Sequence, residues 1–149
     1  MPTRYQGELD EVRALDTFIK LNRAAESFNA RLQPALTAQG LTPGQFAILE
    51  ALLHVGPMHQ RDIGRRLLRS HANITTVLDN LERDGLIQRV RGTEDRRFIT
   101  VSLTPAGRDR ITGVFPGHAA AITAGMAALT ADEQVELGRL CKKLGRSLT

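Results

Sequence analysis

The sequence predicts a mainly α fold with one small β-hairpin, on three observations. Apolar residues recur at three- and four-residue steps along most of the chain. Two short runs with period-two character stand close together between residues 86 and 103. Helix-start signals recur, in Thr42-Pro43-Gly44-Gln45, Thr104-Pro105 and Thr130-Ala131-Asp132-Glu133. The length of 149 residues fits a single domain, and 42% hydrophobic with 24% charged residues argues against wholesale disorder.

The first element is a long helix over residues 8–38, with Val12, Leu15, Ile19, Phe28, Leu32 and Leu36 on one stripe. Pro34 is placed to bend or fray its last turn, and Gly40 to stop it. A helix of this length needs a partner along most of its course. The next helix starts at the Thr42 cap, buries Phe46, Leu49 and Leu53, and ends near Gly56-Pro57. A short helix around 60–68 turns Ile63 and Leu67 inward and carries Arg61, Arg65 and Arg66 on its other face. Ser70 then caps a helix that runs to Asp84 and stops at Gly85. Its arc of Ile74, Val77, Leu78 and Leu81 faces Ala72, Asn73, Thr76, Asp79, Asn80 and Arg83 across the wheel, with His71 and Thr75 on the flanks.

Residues 86–91 and 97–103 read as the hairpin, with Ile87, Val90, Phe98, Val101 and Leu103 as its apolar side and residues 92–96 as a polar tip. Thr104-Pro105 opens a further helix, in which Pro116 and Gly117 predict a kink or break. The Thr130–Glu133 capping box opens a last helix ending near Arg146. Two short helices followed by a two-stranded wing make a winged helix-turn-helix. The flanking helices, over 8–38 and 104–148, are most economically a dimer interface around a DNA-binding lobe at 42–103, all within one domain over 1–149.

Charge agrees with that arrangement. The net charge is +4, and its excess lies in the middle third. Residues 61–110 hold eleven basic and seven acidic side chains, and all eleven are arginine. Residues 1–60 hold five basic and six acidic. Arginine donates bidentately to phosphates and to guanine edges, so a basic middle between near-neutral ends suits a nucleic-acid module. The alternative at this level is a solvated surface.

Several function classes find no support. There is no Gly-rich phosphate loop, paired-carboxylate motif, nucleophile elbow or metal signature, so an enzyme is not expected. One cysteine leaves no intramolecular disulfide and no Cys-rich zinc module, and His54, His59, His71 and His118 have no zinc spacing. No cofactor or metal is expected. No apolar run has bilayer length and the first twenty residues hold no signal-peptide core, so a cytoplasmic protein is expected, with no membrane partner. Cys141 lies among Leu137, Leu140 and Leu144 and reads as a buried structural residue.

Three stretches carry a family resemblance. Residues 67–87 resemble the recognition-helix block of the MarR family of bacterial transcriptional regulators. Glu94-Asp95-Arg96-Arg97, continuing to Val101-Ser102-Leu103-Thr104-Pro105-Ala106-Gly107, resembles that family's wing and the start of its fifth helix. Gly40-Leu41-Thr42-Pro43-Gly44-Gln45-Phe46-Ala47-Ile48-Leu49 is similar to the start of its second helix, and Phe115-Pro116-Gly117-His118-Ala119 to a motif of part of the family. The resemblance spans roughly residues 8–148.

It implies a homodimeric, sequence-specific regulator, a repressor on a pseudo-palindromic double-stranded DNA operator, released by a small effector. A DNA-binding module acting without an effector is the alternative. The recognition-helix candidates are Arg69, Ser70, His71, Asn73, Thr75 and Thr76, whose short donors and acceptors suit base edges. Ser70 is equally a plain N-cap. The wing candidates are Asp95, Arg96 and Arg97: the resemblance implies that Asp95 braces the wing while an arginine enters the minor groove. A purely structural Asp–Arg pair is the alternative for Arg97. The resemblance also implies a cleft for a small aromatic or anionic ligand, with Arg23, Phe28, Phe46, His54 and Phe115 as candidate lining. The same aromatics could be plain core, Phe46 above all.

Overall fold

A computed structural model describes residues 3–67 and 71–148, without the side chains of His71 and Ala72. Arg69 and Ser70 therefore lie outside the described residues. In chain order the elements are α1 (Leu9–Ala38), α2 (Pro43–Val55), β1 (Met58–His59), α3 (Gln60–Arg66), α4 (His71–Arg83), β2 (Ile87–Arg91), β3 (Ile99–Leu103), α5 (Pro105–Met126) and α6 (Ala131–Leu148). The chain forms two compact units. One is made of Met1–Asn29 with Ala119–Thr149, the other of Ala30–His118.

The helix boundaries follow from capping chemistry. Thr42 Oγ1 accepts the Gln45 amide at 3.1 Å, and Gln45 Oε1 accepts the Thr42 amide at 2.9 Å, which satisfies two amides that α2 would leave unbonded. Thr104 Oγ1 accepts the Gly107 amide at the start of α5. Thr130 and Glu133 form the same reciprocal pair at α6. Gly40 and Gly85, at φ 73° each, end α1 and α4 in the left-handed region. After Gly85 the Leu86 amide donates back to the Leu81 carbonyl at 3.0 Å and turns the chain into β2.

The core of the Ala30–His118 unit gathers Leu36, Leu41, Phe46, Ile48, Leu49 and Leu52 with Ile63, Ile74, Leu78, Leu81, Ile87, Val101 and Ile111. Each α-helix of that unit contributes, and α4 presents Ile74, Leu78 and Leu81 to it. The sheet has the order β1-β3-β2 and is antiparallel throughout. Ile87 faces Leu103 and Arg91 faces Ile99 across the hairpin.

Four sequence expectations need correction. The two-residue β1 pairs with β3, Met58 opposite Val101, and makes three strands of the expected two. A strand that short carries no periodicity to read. Val90 is 58% exposed, while Arg89 is half-buried with Ile87 on the inner side of β2. Ile87 and Val90 stand three apart, which a strand places on opposite faces. The helix α5 continues through Pro116 and Gly117 without the break expected as one outcome there. Both residues and Thr112 are exposed, so the Thr112 carbonyl, which loses its donor to the proline, can turn to water. Cys141 is exposed, and α6 buries no residue within the chain.

Candidate nucleic-acid interface

The helices α3 and α4 form the helix-turn-helix, and α4 is held at both of its surfaces. Its apolar side is fixed by Ile74, Leu78 and Leu81, each fully buried. Asn73 and Thr76 are exposed on the opposite side and Thr75 is half-buried. Gln60 of α3 reaches Thr75 Oγ1 through Nε2 at 3.5 Å, a long contact that turns Thr75 partly toward α3. His71 is the first residue of α4.

A side-chain cluster that the sequence reading missed fixes α4 against the wing. Arg89 Nη2 donates to Asp79 at 2.6 Å and to Glu82 at 3.1 Å, and the Glu82 carboxylate also accepts the Arg89 amide at 2.9 Å. Only 20% of the Arg89 side chain is exposed. Its hydrogen bond holds the Glu82 carboxyl below the ordinary carboxylate range. Asp79 thus has a structural role at the far end of the helix. The available signal was strict alternation from Ile87, which puts Arg89 and not Val90 inward.

This cluster carries a stability prediction. Arg89→Met is expected to cost about 1–2 kcal/mol at neutral pH, as a charge-assisted pair with partly exposed partners. A depressed carboxylate pKa stabilises the fold above its unfolded value and loses that contribution as pH falls through the folded value. The gap in melting temperature between wild type and variant should therefore narrow below about pH 4. A gap that stays constant with pH assigns the loss to packing alone.

The wing tip is a closed turn. The Gly92 amide donates to the Phe98 carbonyl at 2.8 Å and the Phe98 amide to the Asp95 carbonyl at 3.2 Å. A Cβ at Gly92 would lie 2.5 Å from the Asp95 carbonyl oxygen, so the tip needs glycine there. Asp95 Oδ1 accepts the backbone amide of Arg97 at 3.0 Å. The same carboxylate takes Arg97 Nε at 3.0 Å and Nη2 at 2.8 Å as a fork. The fork lowers the Asp95 carboxyl pKa and raises that of the Arg97 guanidinium. The Arg97 side chain nevertheless remains 89% exposed. It is aimed by its aspartate without being covered. Arg96 is exposed beside it, and its carbonyl accepts from Arg91 Nη1 at 3.2 Å.

Three aromatic and basic residues missed as a group meet at the root of the wing. Phe98 lies 5.1 Å from the His59 ring, and the Arg61 guanidinium stands 5.3 Å over the Phe98 ring.

The candidate ligand residues fall in both compact units. Phe46, His54 and Phe115 belong to the Ala30–His118 unit, Arg23 and Phe28 to the other. Phe46 is buried and its ring lies 4.2 Å from that of His118. His54 is exposed and meets half-buried Phe115 edge-on at 4.8 Å. Arg23 is exposed, and half-buried Phe28 covers Gly125, where a Cβ would lie 2.6 Å from Phe28 Cζ. Among the described residues, no three or more His, Cys, Asp or Glu gather to hold a metal. No single described helix is long and apolar enough to cross a membrane.

Comparison with known proteins points one way. The MarR family model matches residues 41–99. The uncharacterized HTH-type transcriptional regulator YkoM of Bacillus subtilis (strain 168) is 35% identical, over 89% of this chain and 86% of that one. The HTH-type transcriptional regulator MhqR of the same organism is 34% identical, over 89% and 92%. Among solved structures, Bordetella bronchiseptica BpsR, whose DNA binding is regulated by 6-hydroxynicotinic acid, superposes with a TM-score of 0.79 at 26% identity, over 87% of this chain and 98% of that one.

Proposed function

This chain belongs to the MarR family of transcriptional regulators, and from that premise we propose that it is a homodimeric repressor of a pseudo-palindromic operator, released by a small aromatic or anionic effector. Residues 42–103 are the DNA-binding lobe, and the helical segments at 8–38 and 104–148 serve dimerisation. The observation that carries the reading is the Asp95–Arg97 fork at an exposed wing tip. A guanidinium held in one plane by a carboxylate loses less freedom when it enters a groove than an unheld one. Asn73 and Thr76 on the exposed side of α4 supply short hydrogen-bonding groups for the major groove, with His71 and Thr75 of the same helix and, before it in sequence, Arg69 and Ser70. Arg97 reads the minor groove, Asp95 positions it, and Arg96 holds backbone phosphate.

As a repressor, a dimer seated on two half-sites would act by covering duplex that other proteins need. The effector reading draws support from BpsR, whose DNA binding responds to an aromatic acid. Phe46, His54 and Phe115 are the proposed effector lining within the Ala30–His118 unit.

The test selects duplexes from a random pool and measures variants on the winning sequence. Arg97→Ala should cut specific affinity by more than about tenfold while melting temperature holds, and it should blunt the preference for A·T pairs under the wing. Asp95→Ala should lose a smaller share of the same preference, since Arg97 stays but is no longer aimed. Thr76→Ala should cost about 1–3 kcal/mol of discrimination at one base position and little on random DNA. Wild-type affinity should fall about a thousandfold or more between 50 and 200 mM salt, for six to ten phosphate contacts. An Arg97→Ala protein that melts lower and keeps its flank preference makes the pair structural and overturns the wing assignment.

A further inference from the structure

One row of α4 serves both reading and anchoring. It steps by three residues from Asn73 to Thr76 and on to Asp79 and Glu82, all four exposed. Three residues turn a helix by about 300°, so each step falls about 60° short of a full turn and the row winds round α4. It starts with the reading candidates Asn73 and Thr76 and ends against β2, where Asp79 and Glu82 meet Arg89.

Arg89 stands in the middle of β2, opposite Val101 of β3. Its Nη2 donates to Asp79 at 2.6 Å and to Glu82 at 3.1 Å, and its backbone amide donates to Glu82 at 2.9 Å. Two anchor points about 4.5 Å apart along α4 fix the tilt of the helix and its rotation against the strand. Two residues further toward the tip, Arg91 Nη1 donates to the Arg96 carbonyl. The bond from the Gly92 amide to the Phe98 carbonyl then closes the turn that carries Arg97. A continuous run of bonds therefore joins α4 to the Arg97 guanidinium, and Arg89 is its first link. All of these residues belong to the Ala30–His118 unit.

We propose that Arg89 is a positioning residue that fixes how many base pairs separate the major-groove element read by α4 from the minor-groove tract read by the wing. The inference rests on the DNA reading proposed above for Thr76 and Arg97. Two readers on a stiff connection engage together only where the span matches, whereas a loose connection tolerates a range of spans. One base pair is a coarse unit, since adding it moves the next groove by about 3.4 Å and turns it by about 35°. The wing has little else to stiffen it. A two-stranded hairpin is only marginally stable by itself. The strand β1 backs only Thr100 and Val101 of β3, so the outer wing has no third strand among the described residues.

The test uses the duplex selected from a random pool, with one base pair added or removed between the major-groove element and the flanking A·T tract on both sides. The distance between the two half-sites stays as selected. The readout is the ratio of affinities on the selected and the altered duplex, in which a general loss of affinity or of folded protein cancels. Wild type should prefer the selected spacing by more than about tenfold, the share assigned to Arg97. Arg89→Met should prefer it by about threefold or less, at a temperature where circular dichroism shows the variant folded. Asp79→Ala combined with Glu82→Ala leaves Arg89 in place but unheld, and should relax the ratio equally. This double variant decides the matter where Arg89→Met is too unstable to assay. Arg83→Ala removes an exposed arginine of the same helix whose ion pair is with Asp84, and should keep the wild-type ratio. A ratio as steep as wild type in Arg89→Met or in the double variant overturns the proposal and leaves Arg89 a stabiliser only. A flat ratio in wild type itself overturns the wing reading, and this proposal with it.

Discussion

Replacing Leu140 and Leu144 together by glutamate is expected to give a folded monomer that loses about a thousandfold in operator affinity. The helix α6 carries Leu137, Leu140, Cys141, Leu144 and Leu148 along one stripe, and every one of them is exposed within the chain. The same compact unit exposes Leu9, Leu15, Phe18 and Leu21 on α1. Monomeric proteins rarely leave a contiguous apolar patch above a few hundred Å² in water. Covering a leucine contributes about 1.5–3 kcal/mol, and a two-fold axis doubles each contribution. Four carboxylates inside such an interface would be desolvated without partners, which no obligate interface tolerates.

Neither leucine belongs to the core of its own chain, so the helical signal in circular dichroism should persist. Affinity falls because one half-site is left, and a linked second half-site is worth about a hundred- to ten-thousandfold. Sedimentation should show wild-type dimer and variant monomer at micromolar concentration. A variant that stays dimeric places the interface elsewhere.

The second large effect concerns Gly107, one turn into α5. A Cβ there would overlap the Leu86 carbonyl oxygen, since the helix start packs directly on the backbone that enters β2. The close approach is held by two bonds, the Thr104 amide to the Leu86 carbonyl at 3.1 Å and Thr104 Oγ1 to the Gly85 carbonyl at 2.6 Å. Alanine favours a helix over glycine by about 1 kcal/mol, so propensity alone predicts stabilisation. The overlap is with backbone and cannot be relieved by a side-chain rotation. Gly107→Ala is therefore expected to destabilise by about 3 kcal/mol or more, a drop in melting temperature on the order of 10 °C. Gly113→Ala, on the same helix with open space at its Cβ, should be neutral or slightly stabilising. Equal effects at the two glycines would show that packing against Leu86 is not the reason for Gly107.

Gly107 also illustrates how far the sequence can be read. Thr104-Pro105-Ala106-Gly107 is legible as a helix start, and so are the Thr42 and Thr130 caps, because capping is local chemistry. The helices are legible from their apolar spacing, and the wing from its turn residues. The reason for the glycine is not, since it lies in a carbonyl 21 positions away in sequence. Arg89 escapes notice in the same way. Its two acidic partners sit seven and ten residues earlier, on another element. The strand β1 is too short to leave a pattern, and its partner β3 lies across three intervening elements. At the wing, Asp95 and Arg97 are legible as a pair because they are near neighbours. The ring of Phe98 over His59 and under Arg61 is not, because it joins three segments through side chains that the sequence separates. Cys141 misleads because its leucine neighbours suggest a core that the single chain does not form.

The most direct measurement is hydroxyl-radical footprinting of the protein on the duplex selected from a random pool. Protection with two-fold symmetry is expected. Two major-groove centres should lie about one helical turn apart for α4 of each subunit, flanked by one minor-groove site per wing. In Arg97→Ala the outer minor-groove protections should vanish while the inner pair remains. A footprint without a dyad, or one that Arg97→Ala leaves intact at its flanks, would mean that this chain does not read DNA as a symmetric dimer with Arg97 in the minor groove.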